Sequence, residues 1–64
     1  MNENRIEELT KWAKSKAKVC PNLAEEIIDL LRLAIDEIEQ GASMQNEIHL
    51  CMSNIEELIK ENCN

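Results

Sequence analysis

One proline and one glycine, at positions 21 and 41 of a 64-residue chain, cut it into three stretches that contain no other strong helix breaker. Pro21 disfavours helix at the residue before it, so Cys20-Pro21-Asn22 reads as a first break. Gly41 suits the left-handed position just past a helix end, and Ser43 suits the N-cap of the next helix, so Gly41-Ala42-Ser43 reads as the second. Asn22 followed three residues later by Glu25 has the spacing of a capping pair. The stretches between are rich in Glu, Leu, Ile, Lys and Ala, all at home in helices. The expectation is an all-α fold with helices over about 3–19, 23–40 and 44–62 in a single domain. Short connections make antiparallel neighbours, hence a three-helix up-down-up bundle, or a helical hairpin plus a third helix.

Apolar residues recur at helical spacing in each stretch. Ile6, Leu9, Ala13, Ala17 and Cys20 form a narrow first stripe with Trp12 on its edge. In the third, Met44, Ile48, Cys51, Met52, Ile55, Leu58 and Ile59 follow the i, i+3, i+4, i+7 pattern. The second is broadest: nine apolar residues from Leu23 to Ile38 cover an arc of about 160°. That breadth makes it the central helix. Leu33 and Leu50 sit badly in this scheme, each turned well away from the apolar centre of its own helix. A chain this short hides only about 60% of its unfolded surface and is short of core. Leu33 and Leu50, with Leu30, are therefore expected at an interface that completes the bundle by homo-oligomerisation.

Charge is unevenly divided. Residues 1–20 carry a net +2 and residues 21–64 a net −8, giving −6 overall. Glu25, Asp29, Asp36 and Glu37 on the second helix and Glu47 and Glu57 on the third are the candidate partner-binding residues of an acidic face. Such a face suits a basic protein partner. Direct nucleic-acid binding is not expected: Lys11, Lys14 and Lys18 share a face of the first helix, but the net charge has the wrong sign for a phosphate backbone. The Gly41 turn also fails as a helix-turn-helix, because Asp36, Glu37, Gln40 and Glu47 occupy positions that such domains fill with small or apolar residues.

No catalytic constellation is legible, and no enzyme is expected. His49 and Cys51 diverge by about 200° on one helix and cannot share a proton or a metal. Cys51 lies on the apolar stripe as a buried thiol. Cys20 falls at a helix end, and Cys63, next to the chain end, reads as exposed. Three cysteines form an odd count, and Met1-Asn2-Glu3-Asn4-Arg5 lacks a signal-peptide pattern. Free thiols in a reducing cytoplasm are the expectation. Acidic pairs such as Glu25/Asp29 and Glu57/Glu61 read as solvated charge, so no cofactor or metal is expected. No apolar run exceeds three residues, too short to span a membrane.

The small size, the acidity and the absence of a catalytic motif resemble accessory proteins of bacteriophages and mobile elements. That resemblance implies a non-enzymatic protein that binds and inhibits or regulates a host component. Ala13, Ala17 and Cys20-Pro21 followed by Glu25 also form a helix, a Cys-Pro break and a second helix. This pattern is similar to the hairpin of small phage proteins that sequester cyclic oligonucleotide signals. It covers less than half the chain, and no binding residues carry over. It implies an alternative function as a cyclic-nucleotide sponge, with an anionic ligand near Arg32 or Lys14 at a subunit junction. Structural self-assembly is the other alternative.

Overall fold

A computed structural model describes residues 2–62, with side chains from Asn4 onward. Among the described residues the chain forms α1 (Asn2–Val19), a 3-10 turn (Pro21–Leu23), α2 (Ala24–Glu39) and α3 (Met44–Asn62), with no strand. Each helix packs against both others, most extensively α1 on α2 and α2 on α3. The all-helical class agrees with the sequence reading, and the helix limits agree closely.

The first break is built differently from expectation. Cys20 leaves the helical region at φ −124°, ψ 73°, as the residue before a proline must. Its carbonyl then accepts a hydrogen bond from the Leu23 amide at 2.9 Å, closing a turn of 3-10 helix. Asn22 sits inside that turn and does not cap α2; the cap position falls to Leu23, with no side-chain hydrogen bond. The cause is Pro21, whose fixed φ starts the turn early and moves the start of α2 past Asn22. Glu25 and Glu26 still lie in the first turn of α2, where carboxylates favour the positive end of the helix dipole.

The second break follows expectation in detail. Gly41 has φ +106°. The Ala42 amide donates to the Glu37 carbonyl at 3.0 Å and the Gly41 amide to that of Ile38 at 3.1 Å, the paired bonds of a Schellman ending. Ser43 then caps α3, its hydroxyl oxygen accepting from the Asn46 amide at 3.5 Å.

The core runs through all three helices: Leu9 and Ala13 of α1, Leu23, Ile27, Leu31 and Ala34 from the turn and α2, and Cys51 and Ile55 of α3. Cys20 closes its α1 end. Ile27 and Ile55 are wholly enclosed. Trp12, Leu30, Ile48, Met52 and Leu58 are half-buried around this centre. Four of the nine core residues come from Leu23 and α2, which makes α2 the central helix. Among the described residues, no helix is long and apolar enough to cross a membrane.

Candidate interaction groove

The α2–α3 seam opens into a groove of about 450 Å³. Half-buried Leu30 and Leu58 form its floor, while Glu26 and Asp29 of α2 and Glu57 and Glu61 of α3 form its rim, with Asn54 between. The pattern has a local cause. Residues three or four apart stack on one side of a helix, so Glu26 lies beside Leu30 on α2, and Glu61 beside both Glu57 and Leu58 on α3. Packing α2 on α3 brings the two flanks together. All four carboxylates are exposed.

Below the groove, the Cys51 thiol lies 3.6 Å from the Leu30 carbonyl. Burial raises its pKa, and the nearby carboxylate of Glu47 raises it further. A thiol held protonated is a poor nucleophile and a poor metal ligand. His49 is exposed on the outside of the same helix. Among the described residues no three His, Cys, Asp or Glu side chains converge to hold a metal ion.

A second groove, of about 470 Å³, lies between α1 and α3. Leu9, Trp12, Ile48 and Met52 line it, with Arg5, Glu8 and Lys11 at its edge. Lys16 places its ammonium over the Trp12 ring, 5.6 Å from its centre, a cation–π distance to the chain's only aromatic. Its rim mixes both signs of charge, unlike the all-acidic rim between α2 and α3.

The structure distributes the candidate residues unequally. Asp29 and Glu57 line the α2–α3 groove and Leu30 forms its floor. Glu25 lies with Asp29, Ala24, Ile28 and Arg32 in a cleft lined by α2 alone. Asp36 lies with Asp29, Arg32, Leu33 and Ile35 in a second cleft of α2 residues. Glu37 is exposed and Glu47 half-buried, and neither belongs to the lining. Leu33 and Leu50 are 61% and 52% exposed, among the large apolar side chains most open to solvent. Sequence reasoning passed over Glu26, Asn54, Leu58 and Glu61 as groove residues. The signal was the i, i+4 spacing of Glu26 with Leu30 and of Glu57 with Glu61 along the edges of the apolar stripes.

The expectation of free thiols fails at Cys20, which is disulfide-bonded. Cys51 is free and buried, and Cys63 lies outside the described residues. An odd cysteine count cannot tell which thiols the fold brings within bonding distance, and at Cys20 the fold decided against the reading from composition.

Comparison with protein-family models, with curated proteins and with solved structures finds no match to this chain.

Proposed function

We propose that this is a small non-enzymatic interaction protein, of the kind phages and mobile elements use to bind and inhibit or regulate a host protein, and that α2 and α3 carry its docking surface. One observation carries the reading: four carboxylates rim a groove floored by Leu30 and Leu58. An apolar floor supplies affinity by burial, and an all-acidic rim selects a basic partner and speeds the encounter. The helices run up-down-up in this reading, supported by the short connections and by Glu26 and Glu61, from opposite ends of their helices, meeting in one groove. The disulfide at Cys20 argues against a strongly reducing compartment.

The test is a pair of charge reversals, Asp29→Lys and Glu57→Lys, in the whole protein. Partners recovered by affinity capture should bind the parent protein with an affinity that falls steeply between about 50 and 500 mM salt, and should lose the reversed variant. Partner binding that is indifferent both to salt and to the reversals overturns the acidic-face reading.

A second reading, self-assembly, is favoured by the exposure of Leu33 and Leu50. It requires a solution mass well above 7.4 kDa that the double variant Leu33→Gln/Leu50→Gln returns to the monomer. A monomeric parent protein removes it.

A further inference from the structure

The basic side chains are as concentrated as the acidic ones. Residues 11–19, the C-terminal half of α1, hold four of the chain's seven lysines and arginines and no acid. Lys11, Ser15, Lys18 and Val19 are all exposed and fall within a sector of α1 about 100° wide. Lys14 borders this strip, while Lys16 sits over the Trp12 ring. Val19 is 72% exposed, more open than Leu33 or Leu50. Glu7 and Glu8 lie beyond Lys11, towards the other end of the helix. The strip thus offers one apolar side chain among lysines, and the α2–α3 groove offers Leu30 and Leu58 among four carboxylates. The lengths also match: Lys11 to Val19 rises about 12 Å along α1, and Asn54 to Glu61 about 10 Å along α3. The two surfaces point in opposite directions. The groove is lined by α2 and α3 alone and opens on the side away from α1, whose lysines face outward from the far side of the bundle.

We propose that the C-terminal half of α1 of a second copy of this chain occupies the α2–α3 groove. The inference rests on that groove being a docking surface and adds a control over it: self-docking covers the face that any other basic partner needs. Val19 and the aliphatic stems of Lys11 and Lys18 lie over Leu30 and Leu58, and the ammonium groups reach the carboxylates of the rim. Because strip and groove face opposite ways, the contact is heterologous. Each copy keeps one of the two surfaces free, so copies add head to tail instead of closing a dimer. A groove floored by two leucines makes a small contact, so the association is weak and follows concentration. The net charge of −6 on each copy opposes it. At about 100 mM salt the Debye length is about 10 Å, which screens that repulsion across the body more than it screens ion pairs in contact.

A charge swap in the whole protein tests this, with solution mass read by light scattering from about 10 μM to 1 mM. At about 100 mM salt the mass of the parent protein should rise from 7.4 kDa with concentration, and at about 500 mM it should return to 7.4 kDa. The strip-reversed variant Lys11→Glu/Lys18→Glu and the groove-reversed variant Asp29→Lys/Glu57→Lys should each self-associate at least about tenfold more weakly. All four positions are exposed, and circular dichroism should show unchanged helix content in both variants. Mixed together, the two variants should associate again, because each strip then meets a groove of opposite sign. Loss in each variant without recovery in the mixture overturns the pairing of strip with groove. Association that survives both reversals, or that Leu33→Gln/Leu50→Gln removes instead, also overturns it. A parent protein that stays monomeric throughout overturns self-docking but leaves the acidic face standing for another partner. The reading beneath fails by a different result, captured partners indifferent both to salt and to the groove reversal.

Discussion

The Cys51 thiol meets the main-chain carbonyl of Leu30 at 3.6 Å, fastening α3 to α2 directly beneath the groove. The carbonyl already serves the helix, so the thiol occupies its second lone pair and fills the space that a larger side chain would crowd. The width of the groove is thus coupled to one small residue in the core.

Replacing Cys51 separates its packing from its ionisation. Cys51→Ala removes a buried sulfur and should destabilise by about 1 kcal/mol, read as a lower melting temperature at neutral pH. The folded state holds the Cys51 proton more tightly than the unfolded chain does, where the thiol titrates from 9.0. Its contribution is therefore complete below pH 9 and is lost as pH rises beyond that through the raised folded value. The parent protein should lose more stability than Cys51→Ala over this alkaline range. Parallel curves for the two proteins would refute the assignment.

Ile27 and Ile55 are fully enclosed from opposite helices. Truncating either to Ala should cost roughly 2–5 kcal/mol, and Ile→Val about 0.5–1.5 kcal/mol. In a domain this small the Ala variants approach the whole of the stability. Thermal melts followed by circular dichroism should show a modest shift for the Val variants and loss of a cooperative transition for the Ala variants.

Gly41 holds φ +106° with nothing within 4 Å of where a Cβ would stand. The penalty for Gly41→Ala is thus backbone strain rather than a clash, and should be roughly 1–2 kcal/mol. Urea unfolding should show a lower midpoint with an unchanged slope, because the native contacts remain.

Cys20 is disulfide-bonded and only 1% exposed. Loss of a disulfide in a domain of this size costs about 2–5 kcal/mol. Reductant should lower the melting temperature of the parent protein and of Cys51→Ala alike, and should leave Cys20→Ala, already less stable, unmoved. Reductant-insensitive melting of the parent protein would show that the bond does not hold the fold.

Neutralising Asp29 and Glu57 as Asp29→Asn/Glu57→Gln should weaken a basic partner and flatten the salt dependence, while leaving thermal stability within about 0.5 kcal/mol, because both side chains are exposed. A large loss of stability would assign these carboxylates a structural role instead.

Much of this architecture was legible in the residues alone. Pro21 and Gly41 set the number of helices because backbone restrictions act locally, and the periodic Leu, Ile, Ala and Cys positions named the buried faces because an isolated helix has a fixed 3.6-residue repeat. The Schellman ending at Gly41 and the Ser43 cap belong to the same local chemistry. Periodicity places a residue around its own helix, however, and says nothing of how that helix is rotated against its neighbours. The acidic residues looked like one broad face; packing joined Asp29 with Glu57 across a seam, while Glu25 and Asp36 share clefts with Asp29 that no α3 residue lines. The same rotation left Leu33 and Leu50 exposed outside that groove, Leu33 beside Arg32 and Asp36. Closing a disulfide at Cys20 needs two chain segments brought within a few ångströms, a distance that only the assembled bundle decides.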